Sequence, residues 1–235
     1  MGQMNKMVEQ LILRCSDAID NSLYYGKIGV AICLYEYAQY TKKRIYTELA
    51  DMLLEEVIED LDCDIPVGFA SGLCGIGWGI GYSIGHGYIS GNADEVLEAI
   101  DLKIMEVNVA KMKDYSIKSG LGGIAYYVWH RMTSATRSKK TDLPFDMDFL
   151  QSWVVRLPQC IAIPNLPANE ENIFKNLQQI LHQIPHVEKE PISFPPFILD
   201  DNSLNSNLNR TRDLQFLPVG LSNGIARMIL KEILS

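Results

Sequence analysis

The run Gly68–Gly87 is dense in glycine, yet Leu73, Ile76, Trp78, Ile80, Tyr82 and Ile84 interleave with the glycines. A flexible linker would carry serine and other polar residues in those places. Glycine inside a helix costs about 1 kcal/mol relative to alanine, so a helix holding this many needs a packing reason. Close approach of neighbouring backbones is the usual one. The stretch therefore predicts a buried, tightly packed helix opening near Gly72.

Two kinds of helix alternate around it. Residues 4–20 read as a first helix, with Met7, Leu11, Leu13 and Ile19 among charges. Residues 26–40 are apolar on nearly all sides, the pattern of a buried helix. In 43–61, Ile45, Leu49, Met52, Leu53 and Val57 recur at helical spacing while acidic residues take the other face. After the glycine run, Asn92 and Glu95 form a capping pattern. They open an amphipathic helix carrying Val96, Ile100, Ile104 and Val107. Ser119-Gly120-Leu121-Gly122-Gly123 opens a further apolar helix. Segments 146–160, 170–184 and 220–234 complete the helical set. The second glycine of each motif is read at Gly29, Gly75, Gly123 and Gly224, with gaps of 46, 48 and 101 residues, the last about two periods. No strand pattern stands out, so the class is all-α.

Helices that alternate between complete burial and a single buried face suit two concentric layers. The expectation is one α/α-toroid domain spanning 1–235, an incomplete ring included, with apolar helices inside and amphipathic ones outside. Glycines at the inner N-termini would leave backbone N–H groups bare at a mouth, where helix ends favour anions. Residues 185–217, rich in proline and asparagine, break the pattern and read as a lid or strap, a disordered loop, or a helix hidden by the prolines.

The motifs Gly72-Leu73-Cys74-Gly75-Ile76, Gly120-Leu121-Gly122-Gly123-Ile124 and Gly220-Leu221-Ser222-Asn223-Gly224-Ile225-Ala226 carry a resemblance. A weaker copy is Gly26-Lys27-Ile28-Gly29-Val30. In series, they resemble those of the lanthionine synthetase C-like proteins. That resemblance implies an α/α toroid. Members of the family are longer, with more repeats. The cyclases among them use a catalytic zinc held by two cysteines and a histidine to add a peptide thiol to a dehydrated residue. The resemblance thus implies a shortened member. The signatures Trp-Cys-Tyr-Gly and Cys-His-Gly do not occur in this sequence. Cys74 lies between the two glycines of its motif and not ahead of them. No zinc ligand carries over, and no metal or other cofactor is expected.

Composition narrows the partners. A net charge of −8 and a pI near 5.0 disfavour nucleic acid. The basic run from Arg131 to Lys140 reads as a polar bend rather than a stripe. Five cysteines, widely spaced and without Cys-x-x-Cys, fit a reducing compartment. No apolar run suits a membrane span. The expected setting is cytoplasmic, away from membranes, and an open ring with apolar edges is compatible with a homo-oligomer.

The chemistry-bearing candidates are few. Cys74, in the first turn of a buried helix, would have its thiol pKa lowered by the helix end and could act as a nucleophile; its ordinary reading is a small packed residue. Asp62 and Asp64 precede that helix and suggest the paired carboxylates of a glycosidase, against the ordinary reading of a solvated acidic loop. Lys27, Ser71, Lys118, Ser119, Asn223 and Arg227 flank the glycine motifs and are the groups placed to bind at a cavity mouth, or else to cap helices in solvent. His182 and His186 share a helical spacing that Pro185 interrupts. The function expected is a zinc-less scaffold that binds a peptide or protein, either as an accessory in peptide modification or as a degenerate scaffold, with a purely structural partner-binding repeat domain as a further reading. The alternative is an α/α-toroid enzyme acting on a carbohydrate or peptide.

Overall fold

Four times along the chain a seven-residue loop closes onto the start of a buried helix in the same way. The computed structural model describes residues 2–15, 20–61, 64–134, 143–183, 193–199, 217–222 and 224–234. Its helices are α1 (Gly2–Arg14), α2 (Lys27–Thr41), α3 (Arg44–Glu59), α4 (Leu73–Gly85), α5 (Ala93–Val96), α6 (Glu98–Met105), α7 (Leu121–Ser134), α8 (Met147–Ile161), α9 (Ala168–Gln183), α10 (Pro196–Leu199) and α11 (Ile225–Ile233). No strand occurs among the described residues. The all-helical class and the predicted alternation agree with an α/α fold. Helices α2, α4 and α7 are buried on nearly all sides, whereas α3, α8 and α9 each bury one stripe.

Each repeated loop precedes α2, α4, α7 or α11. The first helical N–H donates to the carbonyl six residues before the capping glycine: Lys27 N to Asp20 O at 2.9 Å, Leu73 N to Pro66 O at 2.9 Å, Leu121 N to Asp114 O at 2.8 Å, and Ile225 N to Pro218 O at 2.8 Å. One of the four orphan donors that every helix start carries is satisfied this way. Three residues before each cap, Leu23, Phe69, Ile117 and Leu221 plug the loop and are buried. The cap has to be glycine because a Cβ on Gly72 would overlap the Pro66 carbonyl oxygen.

This geometry corrects two expectations. Gly224 caps α11 as Gly26, Gly72 and Gly120 cap α2, α4 and α7, so it is a first glycine of its motif and not a second. Arg227 stands in the fourth copy where Gly29, Gly75 and Gly123 stand in the others. Nor are the first turns bare, because the loop carbonyls occupy the leading N–H groups. In the second and fourth copies the next donor is also taken, Cys74 N by Val67 O and Ala226 N by Val219 O.

The loops come in two chemistries. Residues 20–26 and 114–120 begin Asp-x-Ser, and the aspartate Oδ1 accepts from the serine N–H at 2.9 Å in both. Residues 66–72 and 218–224 begin Pro-Val-Gly.

The chain divides into two compact units, residues Met1–Leu61 with Phe194–Ser235, and Asp62–Ser193. Each unit pairs one proline loop with one aspartate loop. In the first, Ser222 N donates to Tyr24 O at 2.8 Å; in the second, Ala70 N donates to Lys118 O at 2.9 Å. The four residues hold the same loop position, two before the cap. Behind the loops, Leu221 packs against Gly29 and Phe69 against Gly123, so close that a Cβ on Gly123 would come within 2.6 Å of Phe69 Cβ.

In the first unit α2 packs on α3 and α11, and α11 on α1 and α10. In the second, α4 packs on α7 and α6, and α9 on α7 and α8. The stripe of α3 is Ala50, Leu53, Leu54 and Val57, while Ile45 and Met52, expected to be inside, face solvent. Asn92 caps as expected, accepting from Asp94 N at 3.1 Å, but the helix it opens is broken at the buried Leu97 into α5 and α6. Most of 185–217 lies outside the described residues; within it, α10 is a single turn that buries Ile198.

Candidate functional site

The loop pair of the second unit gathers the largest share of the expected site residues. Asp114 organises it. Its Oδ2 accepts from Ser119 Oγ at 2.7 Å and its Oδ1 from Ser116 N at 2.9 Å. The Ser119 hydroxyl and the Ser116 N–H hold the Asp114 carboxyl below its usual range. From outside, Arg156 of α8 donates to Met112 O at 2.8 Å and Tyr115 Oη at 2.9 Å. Glu170 of α9 accepts from Ile117 N at 3.4 Å. The result is a braced loop whose outer surface exposes Lys118 and Ser119. Ser71, also exposed, follows the Ala70 that bonds to Lys118 O, so Ser71 joins Lys118 and Ser119 on this loop pair.

The other expected residues go elsewhere. Lys27, in the first unit, pairs with Glu56 of α3 at 3.0 Å. Arg227 is not at a mouth: it is buried in the first unit, where one guanidinium nitrogen donates to Leu199 O at 3.0 Å. Asp64 is exposed and 3.8 Å from Lys103. Asp62, its expected catalytic partner, lies outside the described residues, as do Asn223 and His186. Cys74 is completely buried, and burial, with the Asp101 charge a smaller cause, pushes its thiol well above the usual range. That direction is opposite to the lowering expected from a helix start. Desolvation outweighs the dipole, and the loop carbonyl at Cys74 N removes a donor that would have stabilised a thiolate.

A second constellation was not anticipated. Asp101 of α6 is buried and receives four hydrogen bonds from α7. Tyr127 Oη lies 2.7 Å from Oδ1, Arg131 Nε contacts both oxygens at 3.3 and 3.1 Å, and Arg131 Nη2 lies 2.6 Å from Oδ2. Arg131 Nη1 also reaches Asp94 Oδ1 at 3.1 Å. Burial pushes the Asp101 carboxyl upward, against the pull of Arg131 and Tyr127. The path is open because Gly77 lies under Tyr127, where a Cβ would meet the ring at 2.8 Å. Arg131, read from sequence as the start of a polar bend, is thus an interior residue of α7. The signal available was Asp101 itself, a charge on the same face as Leu97, Ile100 and Ile104.

Among the described residues, no three His, Cys, Asp or Glu side chains are placed to hold a metal ion. No described helix is long and apolar enough to cross a membrane.

The family model for lanthionine synthetase C-like protein matches residues 17–146. That span is more than half the chain and contains the first three capping glycines with both of their units' aspartate loops. The chain belongs to the lanthionine synthetase C-like family. No curated protein and no solved structure matches it.

Proposed function

We propose that this member of the lanthionine synthetase C-like family is a helical scaffold that binds a peptide or protein, in an accessory role in peptide modification. The observation that carries the reading is the braced loop pair of the second unit. Its exposed Lys118 and Ser119 project from backbone braced by Asp114, Arg156 and Glu170, and Ser71 from the neighbouring loop tied to it by Ala70 N to Lys118 O. Loops held on a rigid frame are where binding groups collect. The Ser71 hydroxyl and the Lys118 ammonium suit the carbonyls and carboxylates of a peptide chain, and Ser119 Oγ, whose proton goes to Asp114, suits a peptide N–H.

The test is capture from a random peptide library by the full chain, compared with Lys118→Ala and Ser71→Arg. Circular dichroism checks that both variants keep their fold. Enrichment of a peptide class that both variants bind about tenfold more weakly supports the reading. No enrichment over a blank support, or enrichment that neither variant alters, removes it.

A further inference from the structure

Within the second unit, a cleft of about 220 Å³ opens beside the buried Asp101–Arg131 pair. Its lining is mixed: the apolar Leu102, Met105, Leu143 and Pro144 stand beside Asp94, Glu98, Asp101 and Arg131. The charges of these lining residues do not cancel. The Arg131 guanidinium is itself buried and is engaged by Asp101 and by Asp94 Oδ1. Asp94 Oδ2 and the exposed Glu98 carboxylate have no such partner among the described residues. Three carboxylates therefore line the cleft with one guanidinium, and the surplus negative charge falls on the half-buried Asp94 and the exposed Glu98.

We propose that this cleft receives the cationic side chain of a peptide, a lysine or an arginine. The proposal rests on the peptide-binding reading and names a chemical class for its ligand. The volume is below that of a pocket for a drug-sized molecule and suits one long side chain. The aliphatic stem lies along Leu102, Met105 and Pro144, and the charged head reaches Asp94 Oδ2 and Glu98. Arg131 already displays this mode of recognition from the inner side, its guanidinium held between Asp94 and Asp101. A metal ion is the poorer occupant. The carboxylates are not grouped as ligands, and a fixed guanidinium within the set repels a divalent cation.

The experiment uses ¹⁵N-labelled full chain titrated with N-acetyl-lysine methylamide, and with N-acetyl-norleucine methylamide as the uncharged control. The expected result is saturable shift changes among amides of 94–105 and at Arg131 with the lysine probe, weakened by salt. The norleucine probe leaves these amides unmoved. Glu98→Gln, which removes a charge from an exposed side chain, weakens lysine binding about tenfold. Unmoved amides with the lysine probe, equal shifts with norleucine, or unchanged affinity in Glu98→Gln each overturn the proposal. Library peptides that bind wild type and Glu98→Gln alike, yet lose affinity in Lys118→Ala, overturn the cleft and keep the scaffold reading. An empty library capture with intact lysine binding does the reverse.

Discussion

His130 gives the second unit a calculable weakness to acid. The residue sits in α7 and is 8% exposed, with its Nε2 buried and unbonded. Aromatic rings surround it: the ring centroids of Tyr126, Trp129 and Trp78 lie 4.3, 4.7 and 6.5 Å away. Burial lowers its pKa from 6.5 to about 3. The folded state therefore keeps the imidazole neutral at a pH where the unfolded chain protonates it. Because the folded pKa is depressed, the stabilisation is complete above the unfolded value. It is lost as pH falls from 6.5 toward 3. Each tenfold difference in proton affinity between the two states is worth about 1.4 kcal/mol, so the loss is about 2 kcal/mol at pH 5 and about 3 at pH 4. His130→Phe keeps a ring in the aromatic cage and removes the titration. It also removes an unpaired buried nitrogen, which by itself costs about 1–3 kcal/mol, so the variant is at least as stable as wild type at pH 7.

The assay is urea unfolding followed by tryptophan fluorescence, for wild type and His130→Phe, from pH 7 to about pH 4.5. Carboxylates that titrate in both chains cancel in the difference between them. That difference should move by about 2 kcal/mol in favour of the variant between pH 7 and 5. A difference constant to within about 0.5 kcal/mol, the usual effect of a neutral surface substitution, refutes the neutral, enclosed histidine.

Other perturbations follow from the same contacts. Asp101→Ala leaves Arg131 buried with Asp94 alone and should cost about 3–5 kcal/mol in chemical denaturation; Tyr127→Phe, which removes one bond to a charged acceptor, should cost about 1.5–3 kcal/mol. Equal effects for the two would show that Arg131 is not the chief beneficiary. Gly120→Ala places a Cβ onto the Asp114 carbonyl and should cost more than about 1–3 kcal/mol, the range of a strained backbone. Gly2→Ala, with nothing within 4 Å of its added carbon, is the silent control. The lowered Asp114 pKa means that the brace is present above the ordinary carboxylate value and is lost as pH falls through the folded one. Amide exchange at Ser116 should accelerate in that acid window, and protection that persists below it would exclude the Asp114 carboxylate as the anchor.

Helix class and the order of buried and half-buried helices were legible because a single buried stripe leaves a helical period in α3, whereas complete burial makes α2 and α4 apolar all round. The caps at Gly26, Gly72 and Gly120 were legible because only glycine fits under the closing carbonyl. The register of the fourth copy was not. Gly220 and Gly224 both look like motif glycines, and only the bond from Ile225 N to Pro218 O separates the cap from its neighbour. A comparison of loops rather than glycines would have found it, since Asp-Asn-Ser, Pro-Val-Gly, Asp-Tyr-Ser and Pro-Val-Gly begin the four copies in turn. Site residues were less legible for a different reason. Proximity to a motif does not say which way a side chain points: Arg227, three residues past its cap, is buried, whereas Lys27 and Ser119, adjoining theirs, are paired and exposed. Asp101 and Arg131 are thirty positions apart, and the distance that joins them is purely tertiary.

The alternation of loop chemistry carries a consequence for truncation. The second unit is contiguous in sequence and takes both members of its pair, 66–72 and 114–120, from one stretch. The first unit takes its aspartate loop from 20–26 and its proline loop from 218–224, so it is complete only when both ends of the chain are present. Removing residues 194–235 deletes α11, the bond from Ser222 N to Tyr24 O, and the Leu221 plug that fills the space over Gly29. It leaves every pairing of the second unit in place. The shortened chain should therefore lose amide protection through α2 and α3 while α4, α7 and α9 keep theirs, read by hydrogen exchange at single-residue resolution. Loss of protection across all five helices would show that the second loop pair does not stabilise its unit by itself. Retention in α2 and α3 would show that the aspartate loop needs no proline partner, and the pairing would then be a by-product of packing rather than its cause.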